Sequence, residues 1–317
     1  MVSEKNQSPK DSRLVAVALD DKMIYAFFVL AHSLLSTSSK PFNLLVGYFS
    51  GHLKPSHQKK IKDFANLIGL GLTMIELSPN PEFTERRHLT ITTFSKFVIA
   101  DKIPAPHLWL DLDTIARSGW DELFDHLEKA PNSKKLVVAK KLESPQTRFE
   151  GFNAGVLGWT NQPRAEWITA LRLLPEKRFS SEQFLFNKLY SGFTHTVEAK
   201  FNFLSSWHAL TIELSKSIII HYSGPVKPWH LIDRHRGAWT KINSSWDFWF
   251  TAESALLRDP KVRPALYDLH NLRRRALFSG RLHTGKGALA GWVLRILAVL
   301  GPLGVPAVWA MQRRKSL

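Results

Sequence analysis

Residues 107–114 read His-Leu-Trp-Leu-Asp-Leu-Asp-Thr, and this stretch decides which sheet and which site the rest of the chain has to build. Residues 108–110 predict a short buried strand, and two carboxylates, Asp111 and Asp113, follow it directly. Because positions i and i+2 of an extended chain point the same way, both carboxylates can face one site. Hard oxygen donors suit Mg²⁺ or Mn²⁺, and open α/β sheets bind ligands at the carboxyl ends of their strands. Taken alone, the motif is equally compatible with a solvated turn.

Around this stretch, apolar runs that predict strands alternate with longer runs that predict helices. Before it, we predict strands at 14–19, 42–49 and 72–77 and helices at 23–35, 55–68 and 89–103. After it, we predict helices at 119–130, at 163–173 and from residue 181, and strands at 136–139, 152–159 and 217–221. Such alternation is typical of a mainly parallel sheet flanked by helices, so the predicted fold class is α/β.

Composition limits the classes of partner and compartment. The 317 residues can bury one large α/β domain with a tail, or two smaller domains. The chain has no cysteine, which rules out disulfides and thiolate metal sites and fits a reducing compartment. A formal net charge of +16 attracts polyanions. Since no aromatic and arginine residues interleave as in nucleic-acid modules, we expect a membrane surface and no nucleic acid. Residues 1–12 are polar and predict a flexible leader without a signal peptide, hence a cytoplasmic protein.

Several polar side chains near the predicted strand ends have two interpretations each. Asp20 and Asp21 can accept a hydrogen bond from a nucleoside or can cap the following helix. Lys96 can reach a phosphate or belong to a solvated helix face. Lys140 follows strand 136–139 at the sheet edge of the carboxylates, where it can meet an anionic acceptor or be an ordinary surface lysine.

Two later stretches carry polar groups in apolar surroundings. Asn153 and Gly155 interrupt the predicted strand 152–159; the asparagine can bond to the protein or to a sugar, and the glycine permits close approach of a ligand or backbone. Glu182 opens a helix, where an acid is favourable in any case. Strand 217–221 ends in His221, an imidazole that can join carboxylates around Mn²⁺.

These residues resemble family 8 of the retaining glycosyltransferases, the group that contains bacterial lipopolysaccharide galactosyl- and glucosyltransferases and glycogenin. The resemblance covers about residues 13–250 and rests on motifs in the family's order and spacing: Asp111-Leu-Asp, Phe152-Asn-Ala-Gly, Glu182-Gln, Lys200-Phe-Asn-Phe and His221-Tyr-Ser-Gly-Pro-Val-Lys-Pro-Trp.

The resemblance implies a GT-A fold, a UDP-hexose donor, a glycan or glycolipid acceptor, and Mn²⁺ (or Mg²⁺) held by Asp111, Asp113 and His221. It implies that catalysis involves Glu182, Gln183 and Asn153. The implied donor and metal site comprises Ala16, Asp20, Asp21, Lys96, Asp111, Leu112, Asp113, Asn153, Ala154, Glu182, Gln183, His221, Gly224 and Lys227. Within it, Ala16, Asp20 and Asp21 would lie by the uridine, Gly224 and Lys227 by the diphosphate, and Lys140 near the sugar or acceptor.

This chain departs from the family at two implied site positions. Glu182 stands where the family usually has Asp, and Lys96 stands where it usually has Arg. Each exchange keeps the charge, but Glu is longer by about one methylene and Lys lacks the bidentate fork of Arg. We expect activity to be retained with a changed donor preference or rate.

Beyond the resemblance, residues 251–317 predict a basic and apolar helical extension. Residues 288–311 contain only one charge, Arg295, and place apolar side chains at helical spacing. An arginine near the middle of a membrane span would cost about 2.5–3.5 kcal/mol on insertion scales. We therefore expect an anchor on an anionic membrane surface rather than a span, with packing against the catalytic domain as the alternative. The expected location is the inner face of the cell membrane.

Two other functions remain open from the sequence. Strand-Asp-x-Asp-Thr also opens haloacid-dehalogenase-type phosphatases, although Ile115 stands where that class has Thr or Val. A catalytically silent, membrane-associated UDP-sugar-binding protein is the second alternative, since the Glu182 exchange would then have abolished transfer.

Overall fold

The computed structural model describes residues 13–83, 91–103, 106–140, 151–162, 164–172, 182–205, 211–223, 227–231 and 236–278. The predicted leader 1–12, Gly224 and most of the predicted tail, 279–317, lie outside these residues.

A seven-stranded sheet forms the centre of the molecule, with the strand order β3-β2-β1-β4-β7-β6-β8. Its strands are β1 Leu14–Ala18, β2 Asn43–Phe49, β3 Gly71–Leu77, β4 His107–Leu110, β6 Leu136–Ala139, β7 Val156–Trp159 and β8 Thr194–Val197. Only β7 runs against its neighbours β4 and β6. Buried side chains fill both faces of β1 and β4, as expected for strands covered by helices on both sides.

Helices cover this sheet and extend the chain beyond it. They are α1 Ile24–Thr37, α2 Pro55–Ile68, α3 Ser95–Lys102, α4 Glu122–Glu128, α5 Ile168–Arg172, α6 Glu182–Tyr190, α7 Thr211–Lys216, α8 Arg236–Ile242, α9 Trp246–Arg258 and α10 Leu266–Phe278. The ends follow local chemistry: α2 begins with Pro55 and stops at Gly69, whose φ of 74° is the left-handed conformation of a helix C-cap. The predicted α/β class is confirmed.

A second sheet of three short strands lies beside the first, in the order β5-β10-β9. These strands are β5 Thr114–Ala116, β9 Phe203–Leu204 and β10 Ile219–His221. In the antiparallel β5–β10 pair, His221 is opposite Thr114. This register places the end of one strand beside the Asp111-x-Asp113 turn, although the two segments are about a hundred residues apart in the chain.

The helix predicted at 89–103 is α-helical only over Ser95–Lys102, after a 3-10 turn at Ile91–Phe94. Two other predicted elements have boundaries that side-chain hydrogen bonds explain. The strand predicted at 152–159 is wrong over 152–155, because the Asn153 side chain accepts the backbone N–H of Gly155 at 2.9 Å and turns the chain before β7. The helix predicted at 163–173 begins only at Ile168, because Glu166 accepts the backbone N–H groups of Ile168 and Thr169 and so caps the first turn.

The predicted domain boundary at residue 250 falls inside α9. Buried side chains beyond that point, among them Leu256, Val262 and Leu272, belong to the same core cluster as α1. Residues 251–278 therefore pack as part of the same fold as the preceding residues. Among the residues that the structure describes, no helix is both long and apolar enough to cross a membrane. The predicted anchor in 288–311 lies outside them and stays a prediction.

Candidate active site

The candidate site lies at the sheet edge where β1, β4 and β6 end and β7 begins. The backbone N–H of Asp111 donates to the carbonyl of Gly155 at 2.7 Å, so the end of β4 and the start of β7 are joined at this edge. The backbone N–H of Tyr222, just after β10, donates to the carbonyl of Asp113 at 2.7 Å. These two bonds hold the Asp-x-Asp turn between the large sheet and the small one.

Asp111, Asp113 and His221 form a cluster whose ligand atoms all lie within 4.8 Å of one another. His221 Nε2 is 3.2 Å from Asp113 Oδ1 and 3.9 Å from Asp111 Oδ2. Two carboxylates and one imidazole make a donor set that suits Mn²⁺ or Mg²⁺. The three residues therefore fit a divalent cation, as the sequence predicted for them.

The charges around the two carboxylates differ. Burial would raise the pKa of Asp113, but Lys227 and His221 lower it well below its usual range. The Lys227 Nζ lies 2.5 Å from Asp113 Oδ2. Burial raises the pKa of Asp111, and the repulsion of the Asp113 carboxylate adds to the shift while Lys96 opposes it. A cation between the carboxylates would relieve this repulsion.

Lys96 is a buried cation and does not lie on a solvated helix face. Its side chain is 2% exposed, and Nζ lies 3.1 Å from Asp111 Oδ1, 3.0 Å from Glu182 Oε1 and 3.1 Å from the carbonyl of Ala154. Burial would lower the pKa of Lys96, but Asp111 and Glu182 raise it above its ordinary value. The ammonium group thus joins a metal-ligand carboxylate to Glu182.

Glu182 does more than favour the first turn of α6. Its Oε1 is held by Lys96, whereas its buried Oε2 has no hydrogen-bond partner among the described residues. A buried carboxylate oxygen with no partner in the described part of the chain is available to a ligand donor, such as a sugar hydroxyl.

The imidazole of His221 leaves no room for a side chain at position 155, which is a glycine. A Cβ at position 155 would lie 2.2 Å from His221 Cε1 and 2.4 Å from Nδ1. The sequence predicts a close approach at this glycine, and the approaching group is the ring of the third candidate metal ligand.

A row of amides connects the segment before β7 with α6 and the small sheet. Gln183 Oε1 accepts Asn153 Nδ2 at 2.9 Å and the backbone N–H of Ala154 at 3.4 Å. On its other side, Asn153 Oδ1 accepts Asn202 Nδ2 at 3.0 Å. Asn202, in the Lys200-Phe-Asn-Phe stretch, also contacts His221. Sequence analysis did not single it out, although the apolar neighbours of this lone amide are a signal that it is buried and bonded.

Four further predicted site residues pack or form hydrogen bonds of their own, and their role beside a nucleotide sugar stays a prediction. Ala16 is fully buried inside β1, and Leu112 packs in the core. The Asp20 carboxylate accepts the backbone N–H of Lys22 at 2.9 Å. Asp21 faces α2, where its Oδ1 accepts the N–H of Lys54 at 3.0 Å and lies 2.7 Å from His57 Nδ1.

Lys140 is exposed directly after β6, on the predicted edge. The position of Gly224 lies outside the described residues.

Fold and site together define a GT-A protein with an Asp-x-Asp and histidine cluster at the ligand-binding edge of its sheet. The chain belongs to glycosyl transferase family 8, whose model matches residues 14–233. Membership of this family excludes the haloacid-dehalogenase-type phosphatase as the interpretation of the Asp111-x-Asp113 motif.

One curated relative is the lipopolysaccharide 1,3-galactosyltransferase of Salmonella typhimurium. It is 25% identical over 257 residues, which is 70% of this chain and 74% of the relative.

Two solved structures show the same fold. The galactosyltransferase LgtC in complex with donor and acceptor sugar analogues is 20% identical, with a TM-score of 0.58 over 79% of this chain and 99% of that one. The apo form of glycosyltransferase GlyE from Streptococcus pneumoniae TIGR4 is 20% identical, with a TM-score of 0.59 over 82% of this chain and 64% of that one.

Proposed function

We propose that this glycosyltransferase is a retaining hexosyltransferase that moves glucose or galactose from a UDP-sugar to lipopolysaccharide or another cell-surface glycan. The observation that carries the proposal is the convergence of Asp111, Asp113 and His221 next to the Lys96–Glu182 pair. Family membership supports the reaction class, and the named activity of the Salmonella relative supports the choice of sugar and acceptor.

Asp111, Asp113 and His221 would hold Mn²⁺ or Mg²⁺. A bound divalent cation neutralises diphosphate oxygens and so stabilises the charge that develops on a leaving nucleoside diphosphate. Lys227 supplies a second positive charge from the protein. Its ammonium group, now against Asp113, is close enough to the cluster to exchange that carboxylate for a phosphate oxygen when the donor binds.

Lys96 and Glu182 would position the transferred sugar. The Lys96 ammonium group has bonds to three acceptors, so its position is set before a ligand arrives. Glu182 is held by one oxygen and offers the other, which can accept from a sugar hydroxyl. Preorganised groups of this kind lower the barrier because they hold the reacting centre in place without reordering.

Attack of the acceptor from the face that the diphosphate leaves is the proposed route to retention. Gln183 Oε1 already accepts two bonds, and the unpaired Oε2 of Glu182 is assigned to a sugar hydroxyl rather than to the anomeric carbon. In the proposed step, the acceptor oxygen bonds to the anomeric carbon while the bond from that carbon to the phosphate oxygen breaks. The acceptor proton passes to the leaving phosphate oxygen, and the configuration at the anomeric carbon is retained.

The acceptor and location remain part of the proposal. The basic and apolar stretch of residues 274–315 would bring the enzyme to the anionic inner face of the cell membrane, where a lipid-linked glycan is accessible. No nucleic acid is proposed as a partner.

The test is nucleotide release from a panel of nucleotide sugars with Mn²⁺, with and without EDTA and with a lipopolysaccharide acceptor. We expect release from one UDP-hexose that is lost in EDTA and in Asp113→Ala. Product configuration at the anomeric carbon, determined by NMR, tests retention. Saturable UDP binding without transfer or hydrolysis, in the presence of acceptor, would instead support a silent sugar-nucleotide binder.

A further inference from the structure

We propose that Asn202 is a positioning residue that sets the tautomer of His221 and, in the opposite direction, the orientation of the Asn153 and Gln183 amides. The inference deepens the proposed function, because it concerns the cation site on which that function rests. It follows from a series of consecutive hydrogen bonds in which the donor and the acceptor of each bond can be assigned.

The orientation of the Asn202 amide follows from its partners. Asn202 is 5% exposed, and its Nδ2 lies 3.2 Å from the carbonyl oxygen of Asn153 and 3.0 Å from Asn153 Oδ1. Both partners are oxygens that accept, so the nitrogen of the amide must face them, and its two hydrogens are used there. The amide oxygen therefore faces the other way.

On that other side, Asn202 Oδ1 lies 3.2 Å from His221 Nδ1. A carboxamide oxygen only accepts, so the hydrogen of this bond belongs to His221 Nδ1. With the hydrogen of this bond on Nδ1, the ring nitrogen that would ligate a cation is Nε2, the atom 3.2 Å from Asp113 Oδ1. Asn202 thus holds the ring in the tautomer that can ligate a cation together with the two carboxylates.

The donor and acceptor roles can also be assigned for the hydrogen bonds that lead away from the metal cluster. Asn153 Oδ1 accepts from Asn202 and from the backbone N–H of Gly155, so the Asn153 nitrogen is left to donate. It donates to Gln183 Oε1 at 2.9 Å. Reversing the Asn202 amide would therefore place two donors together at His221 Nδ1. It would also place its oxygen against the two accepting oxygens of Asn153. The candidate metal ligand and the proposed sugar-binding end of α6 are joined through one side chain.

Two variants of Asn202 separate its contact with His221 from its contacts with Asn153, and a third variant is the control. Asn202→Leu removes both contacts. Asn202→Asp keeps an oxygen that accepts from His221 but offers no hydrogen to Asn153. The matched control is Asn243→Leu, because Asn243 is also a buried amide, 1% exposed, and its side-chain hydrogen bonds join Ser205 and Ser245 rather than the cluster.

The first measurement is Mn²⁺ binding to the full chain, with and without UDP. The electron paramagnetic resonance signal of free Mn²⁺ monitors the binding. We expect Asn202→Leu to weaken Mn²⁺ binding about 10- to 100-fold, the range found for groups that support metal-ligating histidines. Asn202→Asp should restore Mn²⁺ binding but not the turnover number for sugar transfer. Asn243→Leu should bind Mn²⁺ as the wild-type protein does. Wild-type Mn²⁺ affinity in a folded Asn202→Leu protein would overturn the proposal.

The second measurement does not depend on the metal or on transfer. Nitrogen-15 NMR of histidine-labelled protein, with His221→Gln used for assignment, reports which ring nitrogen carries hydrogen. We expect hydrogen on Nδ1 of His221 in the metal-free wild-type protein, and a mixture of tautomers in Asn202→Leu. A wild-type ring with hydrogen on Nε2 alone would refute the role of Asn202 even if the enzyme transfers sugar. Absence of Mn²⁺ binding together with the expected tautomer would count against the proposed function instead.

Discussion

Glu182 and Glu253 are both buried glutamates, 8% and 4% exposed, and each is paired with a cation from another helix. At the sheet edge, Glu182 meets Lys96 with one oxygen, and its other oxygen has no hydrogen-bond partner among the described residues. Between α1, α9 and α10, Glu253 Oε1 accepts the Tyr25 hydroxyl at 2.6 Å and lies 2.5 Å from Arg273 Nε.

The two cations bond to groups in different parts of the fold. Arg273 uses its remaining nitrogens on the carbonyls of Trp229 and Leu231, at 2.5 and 2.7 Å, and so closes a junction between α10 and the segment after Lys227. Lys96 connects groups that line the candidate site. Burial and ion pairing alone therefore do not identify a functional carboxylate. The two differ because Glu182 has one oxygen without a hydrogen-bond partner among the described residues, and because its cation lies between groups of the candidate site.

The largest expected effects come from Glu253→Gln and Glu182→Gln. Glu253→Gln should lower the free energy of unfolding by about 3–5 kcal/mol, because it leaves the Arg273 charge buried and unpaired. Glu182→Gln should destabilise the fold less, since Lys96 keeps Asp111 and the Ala154 carbonyl, but should lower the turnover number about 10²-fold through lost positioning. Urea unfolding and steady-state transfer measure the two quantities. A reversed pattern, with Glu253→Gln inactive but stable, would contradict the comparison.

Metal binding at the cluster of Asp111, Asp113 and His221 should stabilise the fold, and the effect should not depend on the Glu253 ion pair. Mn²⁺ at about 100 times its dissociation constant should raise the free energy of unfolding by about 2.7 kcal/mol. The increment should persist in Glu253→Gln, because Glu253 and its partners Tyr25 and Arg273 are not among the three ligands, and disappear in Asp113→Asn. Thermal unfolding with Mn²⁺ and with EDTA provides the measurement. Equal increments in wild type and Asp113→Asn would show that the ion binds elsewhere.

Gly155→Ala should weaken Mn²⁺ binding about 10- to 100-fold, as expected when the orientation of a ligating histidine is lost. The added methyl group would lie 2.2 Å from His221 Cε1, so the ring has to move. Titration of Mn²⁺ by paramagnetic resonance measures the change. Gly192→Ala is the control, because a Cβ at Gly192 meets nothing within 4 Å. Unchanged affinity in Gly155→Ala would show that the ring tolerates the displacement.

Arg273→Lys should have the smallest effect. A lysine can keep an ion pair with Glu253 but cannot bond both carbonyls as well, so we expect a loss of about 1–2 kcal/mol in the free energy of unfolding. The segment that carries Lys227 would be held less firmly, and the KM for the donor should rise while the turnover number stays constant. Urea unfolding and initial rates at varied donor concentration decide this. A lower turnover number with an unchanged KM would mean that the junction acts in the chemical step.

Local sequence patterns predicted the elements near the site well where backbone geometry alone decides the outcome. The Asp111-x-Asp113 spacing places both carboxylates in one cluster, and β1 to β4 fall where their apolar runs predict them. The strand predicted from residue 152 was wrong because a side-chain bond, Asn153 Oδ1 with the N–H of Gly155, competes with the sheet ladder. Hydropathy does not record that competition.

By itself, the sequence determined the α/β class, the order of the elements and the residue types that can ligate a divalent cation, because periodicity and donor chemistry are local properties. Only the tertiary structure decided that Lys96 is buried between Asp111 and Glu182, that Gly155 makes room for His221, and that Asp21 faces α2. It also placed Asn202 between His221 and Asn153, and Arg273 on Glu253. These contacts join residues far apart in the chain, and each depends on how strands and helices pack, which no local pattern contains.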